Sequence, residues 1–371
     1  MAGRIRTLLI LGGLLVLLGV GFLYLRAPKP IIEIKAEPLW TVGPVEITNT
    51  LFTSWIVVII IIVGAFLVTR RIEMIPKGWQ NAVEGVIEVL YGLVVATAGE
   101  RHARRFFPVI ATIFLYVIMS NWFGLMPFFN VVGKFEEVTP HHFREDAVVF
   151  EKQAGLFVIK PGAEDVELKV DETACAGLAG AEKDGCVEEA RAGAIAHARE
   201  DKELSEGQTL GIVAPYFRGV NTDLRSPLSL AIASAIFVEY WGISTLGLMG
   251  YGSRFLNFRR LMKGNPIGII DVFVGVLEFI AEIARLISFT FRLFGNMLAG
   301  EILLLMMTFL IPLLLALPFY GLELFVGAIQ AFVFAMLTLV FGALAVTGHG
   351  DEHEERHEAH AAPVEAAQPA E

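Results

Sequence analysis

Apolar residues along this chain come in long unbroken runs, not in the alternation of a half-buried strand. The runs at 8–25, 51–68, 106–129 and 228–249 each match one crossing of a ~30 Å hydrocarbon core. Two longer runs follow, 266–311 and 313–346, and they meet around Pro312 and Pro318. At about 1.5 Å of rise per residue the first would extend roughly 65–70 Å and the second roughly 50 Å. Both are too long to stand upright, so they predict a long tilted helical hairpin. The expected fold is an all-α polytopic membrane protein: transmembrane helices plus this hairpin.

Basic residues between the runs set the expected topology. Arg4 and Arg6 head the first run and place its start inside. Residues 1–30 fit a signal anchor or a cleaved signal peptide, and the lack of a clear small-x-small site favours the anchor. Run 51–68 ends on Arg70, Arg71 and Lys77, inside. The next stretch, "GWQNAVEGVIEVLYGLVVATAGE", suits an interfacial or re-entrant helix and leads to Arg101, Arg104 and Arg105. Run 106–129 then crosses outward, and 228–249 returns to Arg254, Arg259, Arg260 and Lys263. The hairpin leaves the C-terminus inside. Residues 31–130 and 226–348 thus form two membrane segments around an outer insert, 131–225.

That insert reads as a small α+β extramembrane domain on the outer face. "AVVFEKQAGLFVIKPGAEDVELKV" alternates like short strands with a Pro-Gly turn, and "CVEEARAGAIAHARED" reads as a helix. The only two cysteines, Cys175 and Cys186, lie there, so an oxidising outer face suggests a disulfide; two free thiols are the alternative. The tail 349–371 places His349, His353, His357 and His360 at spacings of three and four. Such spacing puts imidazoles on one helical face for a metal, but a disordered, charged inner tail is the simpler expectation, and no metal site is assigned.

Composition narrows the function. The chain is 55% hydrophobic with a mean hydropathy of +0.62, and 18% of it is charged. Its net charge of −10 comes mainly from 135–206 and 351–371. No basic cluster interleaves with aromatics, which argues against nucleic acid. No Walker-type phosphate loop, Gly-x-Ser-x-Gly elbow or Cys-x-x-Cys appears, so soluble catalysis and cofactors have no visible home.

Candidate chemistry lies inside the hairpin. Its first arm carries Asp271, Glu278, Glu282, Arg285, Ser288, Arg292, Asn296 and Glu301. At ~100° per residue, all but the last fall within about 80° of Arg292, in one polar stripe running inward. Glu301 falls about 180° away, on the opposite face and nearer the outer surface. On the second arm Glu323 and Gln330 are seven apart and share a face. A register that sets Glu301 level with Glu323 brings Gln330 within a turn of Arg292. Each intramembrane charge costs about 2.5–3.5 kcal/mol on insertion scales. Glu278, Glu282 and Arg285 can neutralise one another. Arg292 has no acid at i±3 or i±4, so its counter-charge is expected on another chain.

The segments "RLFGNMLAGE" and "IQAFVFAMLTLVF" resemble the signature of subunit a of the rotary F-type ATP synthase. "MIPKGWQNAVEGVIE", "FLYVIMSNWFGLMPFF" and "TDLRSPLSLAIA" resemble its other segments, over roughly 40–130 and 212–348. The resemblance implies a non-catalytic, proton-translocating stator subunit in a bacterial inner membrane. Its long helices would curve along a ring of c subunits, with Arg292 facing the ring carboxylate, beside peripheral-stalk b subunits and other synthase subunits in the lipid bilayer. It assigns Asn296, Glu301, Glu323 and Gln330 to an outer aqueous half-channel. Glu278, Arg285 and Ser288 match its inner side, and Glu282 lies on the same stripe. The first run and the large insert depart from the family's usual pattern. The choice of H⁺ or Na⁺ would rest on ring ligands. A channel or secondary transporter with its own site is the alternative; it would want internal repeats or helices broken at midplane, and neither is visible.

Overall fold

In the computed structural model of the chain, the described residues are 35–347 together with 6, 12, 13, 16 and 19, apart from 71, 74, 76, 127, 142, 154–155, 160–164, 171, 176, 178, 203, 205–207, 256–267 and 311–315. Most of the first apolar run, the basic loop at Arg259, Arg260 and Lys263, the Pro161-Gly162 turn, Pro312 and the tail histidines lie outside the described residues. The apolar runs fold as helices because a helix satisfies its own backbone groups, which lipid cannot do. They are α1 (Asn49–Thr69), α2 (Trp79–Phe123), α4 (Arg225–Phe255), α5 (Gly268–Leu310) and α6 (Ala316–Val346), with a polar helix α3 at Ala181–Asp201. Among the described residues α1, α2, α4 and α6 are each long and apolar enough to cross a membrane, so the chain is a polytopic helical membrane protein.

Two of these helices are interrupted by glycine. Gly99 (φ 73°) breaks α2, so the stretch before it is a separate helical piece from the crossing that follows. Gly247 (φ 75°) does the same in α4. Only glycine reaches this backbone region without strain. The crossing expected over 106–129 stops at Phe123, and the chain turns over 124–126 and 128–132. The apolar residues beyond Phe123 pack as aromatics instead. Phe129 meets Phe123 edge-on at 5.2 Å, and Phe128 meets Phe217 at 5.6 Å. Phe217 in turn lies 6.0 Å from Phe52 on α1.

The chain divides into two compact units. One comprises Met1–Ile60, Ile118–Ser226 and Leu293–Ala328. It opens with a hairpin of β1 (Pro38–Val42) and β2 (Val45–Thr48). Its larger sheet is antiparallel, in the order β3 (Gly133–Glu137), β7 (Gln208–Pro215), β4 (Asp146–Gln153), β5 (Leu156–Val158), with β6 (Asp165–Glu167) on β4. Val148 pairs with Gly211 across the centre. Ile195 and Ala198 of α3 bury against Val138, Ala147, Val166 and Leu210. Cys175 and Cys186 are bonded, with Cα atoms 5.9 Å apart, and tie a short turn to the start of α3. Polar anchors hold the helix ends. The Asn121 amide donates to the Gly327 carbonyl (3.0 Å), Asn221 donates to Asn121 (2.8 Å), and the Thr50 hydroxyl donates to Asp223 (3.1 Å).

The second unit comprises Ile61–Val117, Pro227–Arg292 and Ile329–Glu371. Phe106 of α2 stacks on Trp241 of α4 at 4.1 Å, both fully buried. Gly342 of α6 leaves the room the indole needs, since a Cβ there would fall 2.7 Å from the ring. Ser234 and Thr338 share a buried hydrogen bond of 2.8 Å, and Phe289 packs on Phe334 at 5.0 Å. Trp241→Ala removes the centre of this packing and is expected to cost about 3–5 kcal/mol. A thermal melt of the detergent-purified chain reads this as a lowered midpoint, and an unchanged midpoint contradicts it.

Candidate functional site

The first unit encloses a cavity of about 530 Å³ whose walls are largely apolar. Among the described residues five titratable side chains face it: Glu37, Arg218, Glu301, Tyr320 and Glu323. Glu301 projects from α5 and Glu323 from the early turns of α6. Glu323 is only 7% exposed. Its carboxylate occupies the space that a side chain at position 300 would fill, because a Cβ on Gly300 would overlap it. Gly300 therefore lets the two helices approach closely enough to set Glu323 beside the α5 backbone, one residue from Glu301.

Glu301 is held by residues from the turns outside the helices. The Asn130 amide donates to Glu301 Oε1 at 2.7 Å. Asn130 sits at φ 58°, a left-handed conformation that asparagine tolerates better than most residues. Its own N–H donates to the Phe217 carbonyl at 3.2 Å, which fixes the turn against the next loop. Arg218, in that loop, is buried at 5% exposure and places Nε 3.8 Å from Glu301 Oε2. Its Nη1 donates to the Lys35 carbonyl at 3.0 Å. Burial pushes the Glu37 carboxyl up from its ordinary range, the Glu136 charge adds to this, and the Arg218 charge opposes it. Arg144 pairs with Glu37 Oε1 at 3.0 Å.

The remaining candidate residues lie elsewhere. Asn296 belongs to the first unit but is exposed and does not line the cavity. Glu278, Glu282, Ser288, Arg292 and Gln330 belong to the second unit. There Arg285 donates to Glu282 at 2.7 Å, an i,i+3 pair, and its guanidinium lies 4.2 Å over the Phe341 ring. Ser288 is exposed, Glu278 and Arg292 are half-buried, and Gln330 is buried. Among the described residues no carboxylate lies within ion-pair distance of Arg292. No group of three or more metal-ligating side chains occurs among the described residues either.

Glu37, Asn130 and Arg218 escaped the sequence reading. They come from turns and loops, where no periodicity places a side chain. The one signal available was an arginine, Arg218, only seven residues before α4 begins.

Carboxylates, a guanidinium and an amide thus converge inside a polytopic helical membrane protein. The sequence profile of the ATP synthase A chain family matches residues 51–343, and the chain belongs to that family. The ATP synthase subunit a of Moorella thermoacetica is 24% identical over 317 residues, covering 85% of this chain and 99% of that protein. Membership makes the chain a multi-pass, non-catalytic subunit of the proton-translocating membrane sector.

The close approach at Gly300 is directly testable. Gly300→Ala should displace the Glu323 carboxylate and lower ATP-driven proton pumping in vesicles by about tenfold, the equivalent of ~1.4 kcal/mol of barrier. Unchanged pumping by a normally assembled variant contradicts this placement.

Proposed function

We propose that the chain is the ion-conducting stator subunit of an F-type ATP synthase, forming two aqueous half-channels that pass protons to and from a carboxylate on a c-subunit ring. The observation that carries this reading is the convergence of Glu301 and Glu323 on one cavity in an otherwise apolar setting. Two carboxylates facing one cavity suit a proton relay. Asn296 and Gln330 complete the outer path, and Glu278, Glu282 and Ser288 line the inner one.

A proton arriving from outside passes Glu301 and Glu323 and neutralises a ring carboxylate, which can then rotate through lipid. After nearly a full turn that carboxylate meets Arg292, ionises, and releases its proton along the Glu278–Ser288 stripe. Arg292 carries a charge it cannot lose, so it blocks direct passage between the half-channels. Each charge moved gains about 2.3 kcal/mol per 100 mV of membrane potential. In this reading the subunit lies in a bacterial inner membrane beside peripheral-stalk b subunits, with 131–225 outside and the C-terminus inside.

Arg292→Ala and Arg292→Gln should abolish both proton-driven ATP synthesis and ATP-driven pumping, while passive leak persists or rises. Arg292→Lys should fail as well, because a desolvated lysine can deprotonate and lacks the planar fork. Near-normal coupled pumping in vesicles with assembled Arg292→Ala enzyme would sink the assignment. The bond between Cys175 and Cys186 supports an oxidising outer location for the insert. A membrane-impermeant alkylating reagent applied to intact cells should leave both cysteines unlabelled until a reductant is added. Labelling of both without reductant rules that placement out.

A further inference from the structure

We propose that Arg218 is a positioning residue of the outer proton path, a guanidinium shared between Glu301 and Glu37 that sets how readily Glu301 takes up a proton. This rests on the reading of Glu301 as a relay group and extends it to residues outside the hairpin.

Arg218 lies beside Glu301 and acts on Glu37 through its charge, and all three line one cavity. Toward the membrane helices its Nε lies 3.8 Å from Glu301 Oε2. At its other end Nη1 donates to the Lys35 carbonyl, two residues from Glu37, whose side chain faces the same cavity. Glu301 Oε2 and Glu37 Oε2 are both buried, and neither accepts a hydrogen bond from any described residue. A buried carboxylate oxygen without a donor is costly while charged and is where a proton is most easily accommodated. One guanidinium between two such oxygens favours the charged form of whichever it approaches more closely. When Glu301 is protonated its pull on Arg218 falls, and the guanidinium is free to turn toward Glu37. When Glu301 gives up its proton, Arg218 is at hand to compensate the new charge.

Glu301 shares its cavity with other charged and titratable groups. Glu323 and Tyr320 face it from α6, and Asn130 donates to its second oxygen. Arg144 holds Glu37 Oε1, and Glu136 acts on Glu37 from β3. Arg218 is the cation that reaches the cavity from the loop before α4, and it is nearly fully buried. Its charge is therefore poorly screened by salt. Sheet residues Phe150 and Ile212 also line the cavity, so the insert 131–225 contributes a wall of the path as well as its charges.

Two substitutions should move one observable in opposite directions. The measurement is the initial rate of ATP synthesis by the complete synthase in proteoliposomes, at fixed potential, against the pH on the proton-supplying face. The rate falls as pH rises past the point where the outer relay stops loading. Arg218→Gln removes a neighbouring cation, which favours the protonated carboxylate, and should move that fall up by about one pH unit. Glu37→Gln removes the competing anion, leaves Arg218 wholly to Glu301, and should move the fall to lower pH. Arg218→Lys keeps the charge and should keep the wild-type profile. In a Glu301→Gln background the Arg218 substitution should have no further effect on the midpoint. If Arg218→Gln does not assemble, the shift from Glu37→Gln and the constancy of Arg218→Lys carry the test. Lower rates with an unmoved midpoint in both Arg218→Gln and Glu37→Gln overturn the inference and leave Arg218 a structural residue. In that case slowed synthesis by Glu301→Gln keeps the relay reading intact, whereas unimpaired Glu301→Gln removes both.

Discussion

A carboxylate inside an apolar helical protein is tolerable only where donors and a counter-charge wait for it, and Glu301 is supplied with both from outside its own helix. Asn130 donates to one oxygen at 2.7 Å, and Arg218 faces the other at 3.8 Å. Without them a charge on Glu301 would stand away from water with neither a donor nor a counter-charge. The loops carrying these two residues are in turn pinned. The Asn130 N–H bonds the Phe217 carbonyl, Phe217 packs against Phe128 and Phe52, and Asn221 bonds Asn121. The aromatic packing and amide ladder of the first unit thus serve to hold a cation and an amide at fixed distances from one acid.

Close helix approach has the same logic. Gly300 has no side chain where the Glu323 carboxylate lies, and Gly342 has none where the Trp241 ring lies. In a membrane, apolar burial gives little drive for one helix to choose another, so small residues that admit close packing decide which helices meet. In one unit this brings an acid to a cavity. In the other it seats an aromatic stack that braces α2, α4 and α6, while Arg285 lies over Phe341 and pairs with Glu282. That pair gives Glu282 a structural task in addition to the path role suggested by its place on the stripe.

Much of the membrane architecture was legible in the sequence because lipid leaves few options. The runs at 266–311 and 313–346 became Gly268–Leu310 and Ala316–Val346. Gly99, between the expected interfacial stretch and the next crossing, broke α2 where the basic residues begin. Sheet positions were harder to read. β7 lies between β3 and β4 and buries Leu210, Gly211 and Ile212 in succession, so it lacks the alternation that marks a half-buried strand. The candidate site divided the same way. Glu301 and Glu323 stood out as acids in apolar helices, where polarity is expensive and therefore conspicuous. Arg218 and Asn130 were invisible because polar residues in loops are ordinary, and only the folded chain turns them inward.

In the proposed function the cavity around Glu301 and Glu323 opens to the outer aqueous phase and the stripe around Ser288 to the inner one. Single substitutions Ile302→Cys, on the cavity wall, and Ser288→Cys, on the stripe, test it with a small hydrophilic thiol reagent applied to one face of oriented vesicles at a time. Ile302→Cys enzyme should lose ATP-driven pumping only when the reagent is outside, and Ser288→Cys enzyme only when it is inside. Inhibition of both variants from the same face, or of neither from any face, would contradict the two-path account.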